Sequence, residues 1–198
     1  MTPTTDRAAA RGARSDAADA EPALEAWLAR EIPGYAGPAR LARFAGGQSN
    51  PTWRVDTPER SYVLRAKPPG DLLPSAHAVD REFRVMRALA GSGVPVPEVL
   101  ALCADESVLG RMFYVMEHVP GRVIFEPRLP GLSRRERAAV FDDMNRVVAR
   151  LHSLDPAALG LGDFGRQGAY MARQIARWTK QYRASETAPN PAMDALIE

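Results

Sequence analysis

The sequence has a single cysteine, Cys103, and no run of the roughly 18 apolar residues that a membrane-spanning helix needs. One cysteine excludes an intrachain disulfide framework and favours a reducing compartment, so we expect a cytoplasmic protein without a membrane partner. Cys103 lies within the apolar run EVLALCA, away from any histidine. We therefore expect a buried, unreactive thiol rather than a nucleophile.

The sequence also lacks a large excess of charge, with 26 basic and 24 acidic side chains and a formal net charge of +2. No overall field therefore requires a nucleic acid or an anionic membrane as a partner, although small anions are suitable ligands. The basic face of a helix predicted near residues 173–183 offers nucleic-acid binding as an alternative. No aromatic platform accompanies that face, which argues against it.

The first residues, MTPTTDRAAARGARSDAADA, lack the periodicity of a helix or a strand. We interpret residues 1–20 as a flexible tail. An organelle transit peptide is the alternative because such segments are rich in Arg and Ser. The aspartates Asp6, Asp16 and Asp19 argue against that alternative.

From Glu21 onward the pattern predicts a helix, three strands, a second helix and two further strands. The first helix ends at Pro33-Gly34 and carries one apolar face, formed by Leu24, Trp27, Leu28 and Ile32. The second helix is predicted from Ser75, as its N-cap, to Ala90. The strands are predicted at residues 40–45, 52–56, 61–67, 98–103 and 112–119.

Beyond Gly121 the sequence becomes helical. The segment SRRE at 133–136 is a capping box that predicts a helix start, and an apolar stripe continues through it at Phe141, Met144, Val148 and Leu151. A further helix is predicted from about Ala169 to Arg183.

The third strand carries two cations on one face. Side chains alternate along a strand, so Val63, Arg65 and Lys67 point one way while Tyr62, Leu64 and Ala66 point the other. A solvent-exposed face would explain the two cations equally well. The following helix is needed to decide between these interpretations.

Glu82 lies inside the apolar stripe of that helix, which consists of Val79, Phe83, Met86 and Leu89. An unpaired buried carboxylate is costly, so Glu82 is expected to pair with Arg65 or Lys67. A glutamate at the border of the stripe that reaches water is the alternative.

The stretch RFAGGQSNPTWRV places paired glycines and small polar residues at the bend between the first two strands. An ordinary β-turn would use the same residues. Combined with a cation on the third strand and a glutamate on the next helix, however, the bend matches the phosphate-handling end of a kinase amino-terminal lobe. Gly46 and Gly47 would let the backbone approach phosphates, and Ser49 and Asn50 would donate to phosphate oxygens.

The chain resembles the aminoglycoside phosphotransferase and choline kinase-like family, which shares the protein-kinase fold. The resemblance covers roughly residues 24–198 and is closest to the kinase-like domains fused to acyl-CoA dehydrogenases. The stretches that carry it are FAGGQSNPTWRV, YVLRAKPPG, SAHAVDREFRVMRAL, GVPVPEVLALC, FYVMEHVPGR and LHSLDPAALGLGDFGRQGAYMARQIARWTKQYRASE.

This resemblance implies an α+β, protein-kinase-like fold. Residues 21–118 would form an amino-terminal lobe with a five-stranded antiparallel sheet and a helix. Residues 119–198 would form the interlobe hinge and the first helices of an α-helical carboxyl-terminal lobe.

The resemblance also implies roles for individual residues. Arg65 takes the position of the family's strand-three lysine, and Glu82 that of the lysine's helix partner. Arginine in place of lysine is a departure that leaves Lys67 as a rival phosphate contact. The segment MEHV takes the position of the hinge whose backbone meets adenine, and it consists of Met116, Glu117, His118 and Val119.

The family's catalytic loop, H-G-D-x-x-x-x-N, does not occur in the sequence. The segment GLGDFGR, with Asp163, resembles a metal-binding D-F-G but lacks a preceding catalytic loop, so we interpret it as a turn between helices. We expect no catalytic or metal-binding residue within residues 1–198, and expect the catalytic residues and Mg²⁺ ligands beyond residue 198.

The function implied by the resemblance is ATP-dependent phosphorylation of a small-molecule hydroxyl, for example that of a hydroxyacyl-CoA. The partners would be the nucleotide and the acceptor, with ATP and Mg²⁺ as cofactors. The alternative is a nucleotide-binding or scaffolding module without catalysis, and ATP turnover would distinguish the two.

Overall fold

The computed structural model describes residues 18–19, 21–44, 50–70, 77–165 and 168–197. The chain divides into two compact units, a first that ends at Leu154 and a second that begins at Asp155. The strands of the first unit are β1 (Ala18–Asp19), β2 (Arg40–Arg43), β3 (Thr52–Asp56), β4 (Ser61–Ala66), β5 (Val99–Cys103) and β6 (Phe113–Glu117).

Among the described residues, the first unit also contains three helices and the second unit two. In the first unit these are α1 (Pro22–Glu31), α2 (Val79–Leu89) and α3 (Arg134–His152), and in the second α4 (Tyr170–Ser185) and α5 (Pro191–Ile197). A helix long and apolar enough to cross the bilayer is absent from the residues that the structure describes.

The strands form one sheet in the order β1-β2-β3-β4-β6-β5, with antiparallel neighbours throughout. All five predicted strands are present, so the predicted antiparallel sheet is confirmed. A sixth strand, β1, adds Ala18 and Asp19 at the edge, opposite Leu41 and Arg40. These two residues fall within the predicted tail; residues 1–17 and 20 lie outside the described residues.

Helix α1 covers one face of the sheet. Its buried side chains Leu24, Trp27 and Leu28 pack against strand residues that include Leu64 and Phe113. The Trp27 and Phe113 rings meet edge to face with centroids 4.8 Å apart. Because burying a large apolar side chain contributes about 1.5–3 kcal/mol, this layer is a main source of stability.

Cys103 is buried in the same layer, as predicted. Desolvation is the main cause that raises the pKa of its thiol above the usual value. A thiol that resists ionisation is a poor nucleophile, so Cys103 serves as a small apolar core residue.

Helix α2 covers the opposite face. Val79 and Phe83 are buried there with Tyr114 of β6, and five methionine and aliphatic side chains pack around them, among them Met86 and Met116. Along β4, Tyr62, Leu64 and Ala66 therefore belong to the layer under α1. Arg65 faces α2, which confirms the alternation predicted for this strand.

Helix α2 begins later than predicted. It starts at Val79 with Ala78 at the N-cap and no side-chain cap, whereas Ser75 lies outside the described residues. The first amide of the helix, Val79 N–H, donates instead to the carbonyl oxygen of His77 at 2.9 Å. A backbone turn thus replaces the predicted serine cap.

Helix α3 begins with the predicted capping box. Glu136 N–H donates to Ser133 Oγ at 3.3 Å, and Ser133 N–H donates to Glu136 Oε2 at 2.8 Å. The apolar side chains of this helix lie 43–56% exposed; they are Phe141, Met144, Val148 and Leu151. Helix α4 also exposes a row of apolar side chains, formed by Tyr170, Met171, Ile175 and Trp178.

Candidate functional site

Arg65 and Glu82 form an ion pair between β4 and α2. Arg65 Nε donates to Glu82 Oε2 at 2.6 Å, and Arg65 Nη2 donates to Glu82 Oε1 at 3.3 Å. The two side chains are 29% and 34% exposed, so the pair is half-buried and open to solvent on one side. The ion pair predicted for Glu82 is present, and Arg65 rather than Lys67 makes it.

Two further donors fix the Glu82 carboxylate. Asn50 Nδ2 donates to Oε1 at 2.8 Å, and Tyr114 Oη donates to Oε2 at 3.1 Å. With the two bonds from Arg65, each carboxylate oxygen accepts two hydrogen bonds. A carboxylate with this many donors is held in one orientation in its ionised form.

The electrostatics of the pair favour the charged state of the arginine. The hydrogen bond to Glu82 raises the pKa of the Arg65 guanidinium, against an opposing effect of burial. Burial, followed by the negative charge of Glu82 and its hydrogen bond, raises the pKa of the Tyr114 hydroxyl. Tyr114 therefore stays a hydrogen-bond donor at neutral pH.

Thr52 closes this set of contacts into a ring. Its hydroxyl Oγ1 accepts from Arg65 Nη1 at 3.1 Å and lies 3.0 Å from the carbonyl oxygen of Asn50, to which it donates. The ring runs from Asn50 to Glu82, Arg65, Thr52 and back to Asn50. It links the start of β3, the end of β4 and the first turn of α2.

Asn50 is the buried polar residue of the described core, with 3% exposure. Its Oδ1 lies 2.9 Å from His77 Nδ1, on the side of the amide away from Glu82. The contact of Asn50 with phosphate remains a prediction, and its amide already has protein partners on both sides.

The predicted phosphate loop leaves the sheet beside Arg65. Thr52, the first residue of β3, pairs with Arg65 of β4, and Phe44 N–H donates to the carbonyl oxygen of Thr52. The connection between β2 and β3 therefore begins and ends at the same ends of the strands as the ion pair. Gly46, Gly47 and Ser49 belong to this connection but lie outside the described residues.

The predicted hinge follows the last residues of β6. Met116 packs on the α2 side of the sheet, while Glu117 and Val119 are exposed. Glu117 and His118 line an open cavity of about 300 Å³ beside the first residues of β4. The side chains of these hinge residues thus do not belong to the Arg65–Glu82 cluster.

Lys67 does not take the place of Arg65 in the ion pair with Glu82. Lys67 N–H pairs with the carbonyl oxygen of Met112, and among the described residues its side chain makes no ion pair. Asp155 Oδ1 accepts from Ala157 N–H at 2.9 Å, a local turn contact. Asp163 lies in a turn between α3 and α4.

No three His, Cys, Asp or Glu side chains of the described residues come together in a way that could hold a metal ion.

Sequence reasoning missed Tyr114, Thr52 and His77. Tyr114 could have been found from strand register, because it pairs directly with Arg65. Thr52 could have been found in the same way from its pairing on the other side of β4. His77 had no such signal, because its contact depends on a left-handed backbone conformation with φ of 57°.

Residues 40–198 match the model of a family described as the phosphotransferase enzyme family, APH. The match includes the ion pair, the connection between β2 and β3, and all helices from α2 onward.

Curated relatives are similar over most of this chain. Acyl-CoA dehydrogenase family member 10 from Mus musculus is 50% identical over 189 residues, covering 95% of this chain and 18% of that protein. Acyl-CoA dehydrogenase family member 11 from Rattus norvegicus is 46% identical over 177 residues, covering 87% of this chain and 23% of that protein. The chain thus spans about a fifth of the length of these relatives.

Among solved structures, a protein from Ralstonia eutropha JMP134 classed with the aminoglycoside phosphotransferases is 54% identical, with a TM-score of 0.74. The similarity covers 88% of this chain and 50% of that one. The family match over most of the sequence and this structural similarity lead to one conclusion: the chain belongs to the phosphotransferase enzyme family and has its kinase-like fold.

Proposed function

We propose that the chain is the nucleotide-binding part of an ATP-dependent phosphotransferase that phosphorylates a hydroxyl group of a small molecule. The Arg65–Glu82 ion pair carries this proposal. It places a fixed cation beside the glycine-bearing connection between β2 and β3. Phosphoryl transfer depends mainly on positioning and on charge stabilisation, which such a cation supplies.

The guanidinium of Arg65 has donors left for a ligand. It carries five N–H groups, and three of them bond Glu82 and Thr52. The other two have no partner among the described residues. An arginine can therefore hold its glutamate and a phosphate oxygen at the same time, which suits its planar arrangement of donors.

The spacing along β6 supports a nucleotide that reaches from the hinge to the ion pair. Tyr114 contacts Glu82, and Glu117 ends the strand three residues later. At about 3.3 Å per residue, these positions lie roughly 10 Å apart. An adenine at the hinge backbone would thus place its phosphates toward Arg65.

The acceptor in this proposal is a hydroxyacyl-CoA. Its support is the similarity to two proteins named as acyl-CoA dehydrogenase family members, for which a fused activity on a related thioester would be chemically coherent. Mg²⁺ would neutralise the phosphates of ATP when bound. A cytoplasmic location is part of this proposal, because the sequence has only one cysteine and thus no intrachain disulfide framework.

Calorimetric titration with ATP, ADP and adenosine tests nucleotide binding, with Glu82→Gln as the variant that keeps the shape and removes the charge. We expect ATP to bind more tightly than adenosine, and Glu82→Gln to lose about tenfold in ATP affinity with adenosine unchanged. Equal binding of ATP and adenosine by the unmodified chain would contradict the proposal.

The acceptor is tested separately with radiolabelled ATP and a hydroxyacyl-CoA, using a chain that includes any residues encoded after residue 198. Label transfer to the hydroxyl supports the phosphotransferase. ATP binding without transfer to any hydroxyl acceptor would favour the non-catalytic nucleotide-binding module.

A further inference from the structure

Asn50 lies between Glu82 and His77 and bonds both. Its Nδ2 is 2.8 Å from Glu82 Oε1, and its Oδ1 is 2.9 Å from His77 Nδ1. At 3% exposure, it needs protein partners for its polar atoms. The two contacts supply a partner for each end of the amide.

The chemistry of Glu82 fixes the hydrogen on His77. A carboxylate paired with Arg65 accepts hydrogen bonds and donates none, so Asn50 must present its NH₂ group to Glu82. The oxygen of the amide then faces His77. Nδ1 of His77 must therefore carry a hydrogen and donate it to Asn50 Oδ1, which assigns the tautomer from the contacts.

The backbone of His77 is held in an unusual conformation at the start of α2. Its φ of 57° is in the left-handed region, which costs a residue with a side chain on the order of 1 kcal/mol. Its carbonyl oxygen accepts from Val79 N–H at 2.9 Å, around Ala78 with φ −75° and ψ 78°. One residue thus holds the first amide of α2 and, through its ring, the amide of Asn50.

We propose that His77 and Asn50 are positioning residues for the phosphate-binding cation. Through them the start of α2 and the end of the glycine-bearing connection are tied to one carboxylate, and this carboxylate orients the Arg65 guanidinium. The expected effect of His77 and Asn50 on nucleotide binding rests on the proposed function. It assigns Asn50 a role different from a direct phosphate contact.

Three substitutions separate positioning from folding. His77→Gly removes the donor, which costs stability, and also relieves the left-handed backbone, which restores some of it, so the melting temperature should change little. His77→Asn tolerates the same backbone and places an N–H near the position of Nδ1, so it should restore the contact. Ala169→Gly is the matched control, because Ala169 also has a positive φ, of 45°, without belonging to the ring.

The first measurement needs no nucleotide. The Arg65 Nε–H resonance, observed by ¹H–¹⁵N correlation NMR, should exchange slowly with water in the unmodified chain, His77→Asn and Ala169→Gly. It should exchange faster in His77→Gly and Asn50→Ala, because the Glu82 carboxylate is then held less firmly by its remaining donors, Arg65 and Tyr114. An Arg65 resonance that is identical in all five proteins would overturn the inference, whatever the chain binds.

The second measurement is ATP affinity. His77→Gly and Asn50→Ala should each weaken ATP binding about three- to tenfold, as expected for one lost hydrogen bond, and adenosine binding should not change. The double variant should lose no more than either single one, because both act through the same carboxylate. Fully multiplied losses would show instead that Asn50 contacts phosphate independently of His77.

The two measurements separate the two proposals. Faster exchange at Arg65 in His77→Gly, in a chain that binds no ATP, would contradict the proposed function and leave the positioning pair intact. Unchanged exchange at Arg65 in His77→Gly, in a chain that binds ATP tightly, would contradict the positioning pair and leave the proposed function intact.

Discussion

Tyr114 and Arg65 share one oxygen of Glu82: the tyrosine hydroxyl donates to Oε2 at 3.1 Å and the arginine Nε donates to it at 2.6 Å. The two donors come from neighbouring strands, where Tyr114 and Arg65 are directly paired. Strand pairing therefore aligns both donors, and α2 supplies the acceptor. A defect in β4, β6 or α2 would therefore disturb the orientation of the Arg65 guanidinium.

Alkaline pH should destabilise the first unit through Tyr114. Burial and Glu82 raise the pKa of its hydroxyl above the ordinary value of 10.0. A raised pKa in the folded state contributes stability below pH 10, and this contribution is lost as pH rises toward the folded pKa. Urea unfolding between pH 8 and 11 should show a falling free energy of unfolding above about pH 10.

Tyr114→Phe should make this fall less steep. Tyr35, whose pKa burial and Glu25 also raise, is expected to behave in the same way. The double variant Tyr114→Phe/Tyr35→Phe should have the flattest profile. If the free energy of unfolding of the double variant fell as steeply with pH, groups other than these two tyrosines would cause the loss of stability at alkaline pH.

Arg65→Ala should weaken ATP binding more than Lys67→Ala. Arg65 is held toward Glu82 with two N–H groups left for a ligand, whereas Lys67 has no described contact that fixes its side chain. We expect a loss of about ten- to a hundredfold for Arg65→Ala and less than about threefold for Lys67→Ala, by calorimetry. The reverse ranking would assign the phosphate contact to Lys67.

Gly47→Val should weaken ATP binding with little change in stability. The prediction comes from the sequence pattern, in which the paired glycines allow close approach of backbone to phosphate. A thermal melt and an ATP titration on the same variant check it. Normal ATP affinity with a lowered melting temperature would indicate an ordinary turn.

The chain of residues 1–198 should show no phosphotransferase turnover on its own. The sequence contains no H-G-D-x-x-x-x-N segment to orient an acceptor hydroxyl and hold a metal. A radiometric assay of this chain, with Asp163→Asn as its control, checks the prediction. Turnover that disappears in Asp163→Asn would make Asp163 a functional residue rather than part of a turn.

Two phenylalanines should differ sharply in their contribution to stability. Phe113 is fully buried against Trp27, and Phe141 of α3 is 49% exposed. Phe113→Ala should cost about 3–5 kcal/mol in the free energy of unfolding, and Phe141→Ala less than about 1 kcal/mol. Urea denaturation measures both, and similar losses would mean that Phe141 is covered in solution.

The sequence was sufficient for the elements whose pattern is local. Two-residue alternation located β4 and the faces of its side chains, and the SRRE segment located the start of α3. The carboxylate inside the apolar stripe of α2 was sufficient to predict an ion pair, because a half-buried charge requires a partner.

Contacts that depend on backbone geometry could not be predicted from the sequence in the same way. The start of α2 follows from a turn at His77 and Ala78 rather than from a capping side chain. The contact between Asn50 and His77 joins residues 27 positions apart. No local pattern encodes such a distance, and only the folded sheet brings the two together.

The guanidinium at position 65 changes how this site responds to chemical labelling. Nucleotide analogues with an acyl phosphate react with amines, and Arg65 offers no such nucleophile because it stays protonated. The sequence has two lysines, Lys67 in the first unit and Lys180 in α4. Protection of Lys67 by ATP, measured against Lys180 by mass spectrometry, would therefore report occupancy of the proposed site from a lysine two residues beyond Arg65, whereas the guanidinium itself would stay unlabelled.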